Sequence, residues 1–284
     1  EITIWDEKNS TTSFRYIWAP ELHYINGTWY VLFTSSNSSS NVWGIRPVII
    51  ACNKGDKNPI DPACWETQGH YCEPFAGDNV AFNSFSLDMT YFESGGNHYV
   101  CWAEKPTTSN IMIAAIDPDQ PWKTTSKSLL LSRPEYAWEW NANDWVNEGP
   151  AVIKNNGKIY VAFSASSVNE TYCVGFVYAD ETANLLDIES WTKVGYPVLE
   201  SVDLVNQNGP GHNSFSVDEY GNPVIVYHAR TPGEAGDKGL YDPGRHARVK
   251  SVNFAVDGMP VLNMTPEEEL LPANKNIQIK VIVQ

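Results

Sequence analysis

The sequence predicts an all-β fold: a five-bladed β-propeller whose first blade is incomplete at the N-terminus. Three observations lead to this prediction. Apolar residues occur in short alternating runs bounded by Asn, Gly, Asp and Pro, and no long stretch places them at helical spacing. A polar residue followed by a hairpin recurs as a loose internal repeat. The first three copies begin roughly 60 to 70 residues apart, which is enough for a four-stranded blade with long connections.

Each copy of the repeat contains a turn that can close a tight hairpin. Asn-Gly and Gly-Gly steps supply the positive φ that such turns require. No stretch between the copies resembles an interdomain linker, so residues 1–284 are predicted to form a single domain. The copies cover residues 18–33 with a turn at Asn26-Gly27, 88–103 with Gly95-Gly96, 148–163 with Asn156-Gly157, and 212–227 with Tyr220-Gly221.

A propeller would bring the polar heads of these hairpins together. Its innermost strands run side by side along the central axis, so residues at their starts meet at one mouth of the channel. The repeat therefore predicts one pocket surrounded by Glu21, Asp88, Glu148 and His212. A β-sandwich is the competing architecture. It explains the strands but not the polar residue that heads each hairpin.

Composition narrows the class of partner. The formal net charge is -15, which excludes nucleic acid and anionic membranes as expected partners and favours a neutral or weakly basic substrate. Aromatic residues make up 12% of the chain, with 11 Trp and 14 Tyr. Such residues suit both β-sheets and surfaces that stack on sugars. Most of them are expected to serve strand and core packing.

The five cysteines predict at least one unpaired thiol. Cys64 and Cys72 lie in a polar loop and are candidates for a short-range bridge. Cys52, Cys101 and Cys173 lie in apolar, strand-like runs and are predicted to be buried thiols.

Several N-x-[ST] sequons in polar turns predict a secreted glycoprotein. The chain starts with a strand-like run at residues 1–5 and shows neither a signal peptide nor a transmembrane span, so we expect that its N-terminus has been removed or lies elsewhere. The predicted location is extracellular. The sequons are at Asn9, Asn26, Asn37, Asn169 and Asn263.

Two carboxylates head two copies of the repeat at equivalent places, Asp88 and Glu148. Glycoside hydrolysis needs an acid that protonates the leaving oxygen and a second carboxylate opposite it. An acid working near neutral pH needs its pKa raised by burial or by a neighbouring negative charge, which Asp88 could supply to Glu148. The alternative is that both carboxylates cap turns or pair with arginines.

Five short motifs occur in order along nearly the whole chain. Together they resemble glycoside hydrolase family 43, and among its members most of all the α-L-arabinofuranosidases, including exo-acting enzymes that degrade arabinan. Each motif is weak alone, and the combination and order are specific. The motifs are Trp18-Ala19-Pro20-Glu21-Leu22-His23, Ser86-Leu87-Asp88-Met89-Thr90, Val146-Asn147-Glu148-Gly149-Pro150, Gly209-Pro210-Gly211-His212-Asn213-Ser214 and Tyr227-His228-Ala229-Arg230.

The resemblance implies a five-bladed propeller and an inverting mechanism. On the matching positions Glu148 is the general acid, while Asp88 tunes its pKa and orients it. Trp18 is expected to form part of the wall of the sugar pocket. The other positions expected to bind substrate are Glu21, Phe85, Asn147, Arg245 and Arg248, the two arginines by contacting either the carboxylates or the sugar.

The resemblance also implies a calcium or other ion near the propeller axis, held partly through water, with His212 beside it. One imidazole without a carboxylate cluster is a poor calcium site, because calcium prefers oxygen ligands. The alternative for His212 is a hydrogen-bonded structural histidine. His228 and His246 are expected to be structural.

The sequence departs from the family pattern at the general base. That residue is expected to be an Asp of the first blade in an Asp-Pro context, and the chain offers no match. Asp6 resembles the end of a blade, and Asp61-Pro62 and Asp242-Pro243 lie in the wrong places. A positioned base typically contributes about 10²–10⁴-fold to the rate. An N-terminal segment or a second chain would have to supply it, or the protein no longer hydrolyses.

The leading functional prediction is an extracellular, exo-acting α-L-arabinofuranosidase that acts on arabinan or arabinoxylan, which are plant cell-wall polysaccharides. An aromatic loop at residues 136–140 could close one end of a cleft, as exo action requires. A β-xylosidase or an endo-arabinanase of the same family is an alternative. A non-catalytic carbohydrate-binding propeller that lacks the base is another.

Overall fold

A computed structural model describes residues 1–6, 8, 10–11, 15–141, 144–232 and 242–270. The all-β prediction is confirmed: four antiparallel sheets form the blades of a β-propeller in this part of the chain. The fifth blade stays a prediction. The sequon at Asn9 and residues 271–284 of the predicted domain lie outside the described residues.

The first two blades are built from consecutive antiparallel strands. In the second blade a fifth strand pairs with the third along the chain. Blade one contains β1 (Arg15–Ile25), β2 (Thr28–Ser36), β3 (Ile45–Cys52) and β4 (His70–Tyr71), and blade two contains β5 (Phe85–Ser94), β6 (Asn97–Lys105), β7 (Asn110–Asp117), β8 (Gln120–Thr124) and β9 (Leu129–Ser132).

Two short hairpins and a helical turn accompany the other two blades. Among the described residues no helix has the length and apolar character needed to cross a bilayer. The hairpin β10 (Trp140–Asn141) and β11 (Asp144–Trp145) precedes blade three, which contains β12 (Asn147–Asn155), β13 (Lys158–Ala165), β14 (Cys173–Asp180) and β15 (Thr192–Lys193); blade four contains β16 (Asn208–Val217), β17 (Pro223–Arg230) and β18 (His246–Ser251), and β19 (Asn253–Phe254), β20 (Pro260–Val261) and α1 (Pro266–Leu270) follow.

The core lies between neighbouring blades, because a sheet with a blade on each side of it is covered on both faces. Strand β13 shows how the sequence meets this demand. Ile159, Val161 and Phe163 pack into the cluster shared with blade two, while Tyr160 and Ala162 pack into the cluster shared with blade four. Successive side chains of a strand point to opposite faces, so a strand covered on both sides reads as a continuous apolar run.

The four predicted hairpins are present as β1–β2, β5–β6, β12–β13 and β16–β17. Asn156 and Gly157 turn the third hairpin with φ of 50° and 73°, as the Asn-Gly signal predicts. The first strands of the hairpins line up around the axis: β12 contacts both β5 and β16, and β5 contacts β1. The starts of these four strands therefore converge.

The face of blade one turned away from blade two is covered by the N-terminal residues. Ile4 and Trp5 pack against a cluster on this face, and the Trp5 ring lies 5.1 Å from that of Phe33. The indole also donates a hydrogen bond to the carbonyl of Thr67 at 3.2 Å.

The disulfide differs from the prediction. Cys52 at the end of β3 is bonded to Cys64, with 4.8 Å between the Cα atoms. The loop between them returns alongside β3, because the amide of Asn53 donates to the carbonyl of Cys64. Cys72 is instead a buried thiol whose Sγ lies 3.8 Å from the sulfur of Met89. The predicted Cys64–Cys72 bridge and the free Cys52 are therefore wrong, whereas Cys101 and Cys173 are buried thiols as predicted.

Candidate active site

The four innermost strands share one local irregularity near their starts. In each, a β-bulge interrupts the register with the second strand of the hairpin, at residues 18–21, 87–90, 148–151 and 211–214. The second residue of each bulge has a positive φ, 47° at Ala19, 56° at Asp88, 56° at Gly149 and 45° at His212. A bulge bends its strand and re-aims side chains, and such bulges occur often beside active sites.

The bulges correct one part of the repeat prediction. Asp88 occupies the positive-φ position of its bulge, whereas in the next blade Gly149 fills that position and Glu148 precedes it. The two carboxylates are therefore one residue out of step rather than equivalent. Asp tolerates the left-handed region better than most residues and Gly adopts it freely, which explains why these two residue types stand there.

The side chain of Asp88 is positioned by residues of blades three and four. Its side chain is 4% exposed, its Oδ2 accepts the backbone N–H of Gly149 at 3.1 Å, and its Oδ1 lies 3.9 Å from Nε2 of His212. Burial raises the pKa of Asp88, and the charge of Glu21 acts in the same direction. His212 and the Gly149 amide oppose this rise, because both favour the ionised carboxylate.

Glu148 lies at the start of the innermost strand of blade three, and its carboxyl group accepts one side-chain hydrogen bond. The residue is half-buried, and its Oε1 accepts a hydrogen bond of 2.7 Å from the hydroxyl of Tyr172. Burial raises the pKa of Glu148 and the charge of Asp88 raises it further, while Tyr172, His212 and Lys105 act in the opposite direction.

The two carboxyl groups act on each other's ionisation. Two close carboxyls resist simultaneous ionisation, so one of them retains a proton to higher pH. Asp88 receives an amide N–H and faces an imidazole, which stabilises its anion. These contacts favour Asp88 as the anion and Glu148 as the carboxyl that keeps its proton, on Oε2 because Oε1 accepts the Tyr172 hydroxyl.

An aromatic wall borders the start of β5. The ring of Phe85 lies 6.4 Å from Trp18 and 5.2 Å from Trp43, and Trp18 also contacts Tyr16 at 6.1 Å. The structure thus brings together Trp18 and Phe85, two of the positions predicted to bind substrate. Trp43, which is 63% exposed, joins them.

The remaining predicted positions on the inner strands are already engaged within the protein. Glu21 is half-buried and lies 2.7 Å from Nε2 of His23. The side chain of Asn147 is fully buried and donates to Oε1 of Glu139, which also forms a 2.6 Å ion pair with Lys193. These buried contacts anchor Asn147 directly before Glu148, and a contact of Asn147 with substrate stays a prediction.

Comparison with known proteins places the chain in a family. The sequence model for glycosyl hydrolases family 43 matches residues 1–260. The chain belongs to glycosyl hydrolase family 43. It is similar to the extracellular exo-α-(1→5)-L-arabinofuranosidase of Streptomyces avermitilis, with 35% identity over 96% of this chain and 55% of that protein. It is also similar to α-L-arabinofuranosidase 43 of Humicola insolens, with 35% identity over 92% of this chain and 52% of the relative.

Solved structures show the same fold. The crystal structure of an α-L-arabinofuranosidase from Lactobacillus brevis shares 37% identity and a TM-score of 0.77, covering 88% of this chain and 77% of that one. A thermostable family-43 glycoside hydrolase with 22% identity and a TM-score of 0.70, over 92% and 80% of the two chains, supports the fold alone. The chain spans about half the length of the two curated relatives named above.

Tyr172 is the residue of this family 43 site that the sequence did not reveal. It is 1% exposed, stacks on His228 at 5.4 Å with an angle of 4° between the rings, and reaches Glu148 with its hydroxyl. A Cβ on Gly211 would lie 2.2 Å from the Tyr172 ring, so Gly211 leaves the space that the tyrosine occupies. Tyr172 follows a loop rather than heading a hairpin. The nearest sequence signal is the glycine before His212, which does not point to a tyrosine.

The predicted arginines lie around blade four. Arg248 donates from Nη2 to the hydroxyl of Thr231 at 2.8 Å. Burial first, and then the charge of Arg245 and other cations, lowers the pKa of His228 to about 3, so this histidine is neutral where it stacks on Tyr172. The charge of Arg245 thus acts on His228, which stacks on the tyrosine that donates to Glu148. Asp242 is engaged by Nε of Arg230 at 2.7 Å.

The described donors do not fit a calcium ion. His212 supplies one imidazole near the axis, and the described residues contain no group of three His, Cys, Asp or Glu side chains placed to hold a metal. Calcium requires six to eight oxygen ligands. The ion near His212 therefore stays a prediction from the family resemblance, and no catalytic step is derived through it.

Proposed function

We propose that this family 43 chain is an inverting, exo-acting α-L-arabinofuranosidase that removes terminal arabinofuranosyl units from arabinan or from arabinoxylan side chains. The observation that carries the proposal is the pairing of two carboxyl groups at the start of adjacent innermost strands: a half-buried Glu148, whose pKa is raised by burial and by the charge of Asp88, and a buried Asp88 that accepts the N–H of Gly149. Two relatives at 35% identity bear the name arabinofuranosidase, which supports the choice of sugar.

In the proposed reaction Glu148 gives its Oε2 proton to the glycosidic oxygen as the bond to the arabinofuranosyl carbon breaks. The hydroxyl of Tyr172 remains on Oε1 and stabilises the carboxylate that results, because a hydrogen bond to a charged acceptor is stronger than one to a neutral acceptor. The Asp88 anion keeps the acid protonated before the transfer. The wall of Trp18 and Phe85 excludes water from one side of the sugar.

Inversion also requires a base that activates water from the opposite face, with the two carboxyl groups about 6.5–9.5 Å apart. Besides the pair itself, Glu21 is the carboxylate that acts on Asp88, and its side chain is engaged with His23. We propose that the base is an aspartate of a fifth blade supplied by an N-terminal segment outside this sequence or by a second chain.

An extracellular location is part of the proposal. Two features of the chain support it: the Cys52–Cys64 disulfide, a bond typical of oxidising compartments, and the exposed sequon asparagines Asn37 and Asn263. Proteins of this family with similar sequences in Streptomyces species carry the word extracellular in their names.

The test uses two aryl glycosides, an α-L-arabinofuranoside and a β-D-xylopyranoside, with and without azide. Azide attacks without a base, so in a chain without its base it should raise turnover of the aryl arabinofuranoside by about 10²-fold or more. Faster turnover of the xyloside would favour the β-xylosidase alternative.

Each further outcome decides one point. Rapid turnover without azide would place the base within this chain and make Glu21 the first residue to substitute. Absence of turnover of both substrates, with azide and with restored flanking residues, would leave the non-catalytic carbohydrate-binding propeller.

A further inference from the structure

A pair of stacked indoles lies on the hairpin that comes directly before the strand of Glu148. Trp140 and Trp145, on the two strands of the β10–β11 hairpin, stack with 5.2 Å between ring centroids and 9° between planes. They are 40% and 41% exposed. A stacked pair is held in place by its own contact, so the exposed part of each ring is a rigid surface rather than a mobile one.

A cavity of about 440 Å³ lies against this hairpin. That size is within the range of small-molecule sites, which combine aromatic walls with a few polar groups. Its lining offers two indoles together with hydroxyl, amide and carboxylate groups, a set that suits a neutral, hydroxyl-rich ligand. The lining residues include Trp138, Trp140, Asn141, Thr171, Glu200 and Ser201.

The cavity lies at the same end of blade three as the acid. Asn147 pairs with Ala165, so the start of β12 and the end of β13 are side by side, and the loop after Ala165 leads to Thr171 in the cavity wall. Nδ2 of Asn141 donates to the hydroxyl of Thr171 at 3.1 Å. The next residue, Tyr172, holds Glu148. The residue that holds Glu148 is therefore directly adjacent in sequence to two residues of the cavity wall, Thr171 and Cys173.

We propose that this cavity and the indole of Trp140 bind the part of a neutral oligosaccharide that lies beyond the bond cleaved at Glu148. The apolar C–H face of a sugar unit would stack on Trp140, and its hydroxyls would bond to Asn141, Thr171 and Glu200. This inference rests on the proposed function. It adds that the enzyme recognises the polymer chain as well as the terminal sugar.

Calorimetry on the inactive Glu148→Gln chain tests the binding. The ligands are methyl α-L-arabinofuranoside and a series of linear α-1,5-arabino-oligosaccharides of increasing length. Affinity should rise with length. Trp140→Ala should weaken binding of the longest oligosaccharide by about tenfold more than binding of the methyl glycoside, since one ring contact is worth on the order of tenfold in affinity.

Tyr220→Ala is the matched control, because Tyr220 is 82% exposed at a hairpin turn on blade four and has no part in the site. It should leave the length dependence unchanged. Equal weakening of all ligands by Trp140→Ala, or no weakening of any, would overturn the inference. In the active chain Trp140→Ala should raise KM more for the longest oligosaccharide than for the aryl arabinofuranoside.

The outcomes separate this inference from the proposed function. If the wild-type chain turns over the aryl arabinofuranoside but Trp140→Ala affects all substrates alike, the function stands and the inference fails. If no arabinofuranoside is turned over even with azide and with restored flanking residues, the function fails and calorimetry alone decides the inference. Length-dependent binding of arabino- or xylo-oligosaccharides that Trp140→Ala removes would then support it, and absence of such binding for both would overturn it.

Discussion

The hairpins β5–β6 and β12–β13 carry the two carboxylates of the site on similar backbones, yet the side chains have different surroundings. Both hairpins have a bulge at the same place, with Asp88 at its positive-φ position and Glu148 one residue earlier in its own bulge. Asp88 is 4% exposed and accepts the N–H of Gly149. Glu148 is half-buried and meets a hydroxyl. A shift of one residue within a bulge therefore places one carboxyl group in the interior against an amide and the other at a half-buried position against a hydroxyl.

This difference in surroundings is the reason for proposing that the proton stays on Glu148. An anion needs donors directed at it, whereas a general acid needs desolvation and a neighbouring negative charge. The bulge of blade three serves both carboxyl groups, because Gly149 turns its N–H toward Asp88 while the preceding side chain, Glu148, is half-buried beside the charge of Asp88. Substitutions that remove either carboxylate, or the hydroxyl that supports the acid, test this division of roles.

The largest effect is expected from Glu148→Gln. The amide cannot donate the proton that the leaving oxygen needs, so kcat for arabino-oligosaccharides should fall by about 10³-fold, while sugar binding is largely kept. The kcat for aryl arabinofuranosides whose leaving group is an acidic phenol should fall less, because such a leaving group departs without protonation. Steady-state kinetics on both substrate types measures the contrast.

Glu181→Gln is the matched control for that variant, since Glu181 forms a surface ion pair with Lys154 away from the site. It should leave both substrates unaffected. If Glu148→Gln lowered kcat equally for the two substrate types, or left it unchanged, Glu148 would not be the acid.

Asp88→Asn should have the next largest effect. Asn accepts positive φ well and its side-chain oxygen can still receive the N–H of Gly149, so the fold should be kept. Loss of the negative charge lowers the pKa of Glu148, and the alkaline limb of the kcat/KM profile should move to lower pH. Turnover at neutral pH should fall by about 10–100-fold, given the contribution of a properly protonated acid.

The pH profile distinguishes this charge effect from a structural one. Asp187→Asn, in which either residue caps a short helical turn, is the control and should leave the profile in place. If Asp88→Asn lowers the rate but leaves the alkaline limb where it was, Asp88 supports the backbone and does not tune the acid.

Local turn chemistry made much of the fold and part of the site predictable. Asn-Gly and Gly-Gly steps located the hairpins, and the polar residue ahead of each located the convergence of Asp88, Glu148 and His212. Counting along the repeat could not detect the one-residue offset between Asp88 and Glu148. A bulge inserts an extra residue, and the alternation of strand faces does not reveal where it does so.

The parts that escaped prediction depend on segments that meet only in the folded chain. Tyr172 arrives from a loop and is placed by the space beside Gly211. The bond from Cys52 to Cys64 depends on how the intervening loop returns to β3. The burial of Asn147 depends on Glu139, which precedes blade three, and Lys193, at the far edge of that blade. No short-range sequence pattern encodes such contacts between segments that are distant in the chain.

Tyr172→Phe gives the smallest kinetic effect and the sharpest test, because its pH effect is opposite in sign to that of Asp88→Asn. The hydroxyl favours the ionised form of Glu148, so its removal raises the pKa of the acid and should move the alkaline limb to higher pH. The product carboxylate also loses a hydrogen bond, which should lower kcat by about tenfold. Phe preserves the stack on His228.

Tyr227→Phe is the matched control, since Tyr227 is also buried but its hydroxyl donates to the neutral amide of Gln207 at 2.9 Å. That variant should change stability without moving the pH profile. Opposite displacements of the alkaline limb in Asp88→Asn and Tyr172→Phe would show that Glu148 titrates between an anion that raises its pKa and a donor that lowers it. Displacement in the same direction would mean that Asp88 or Tyr172 acts on another group.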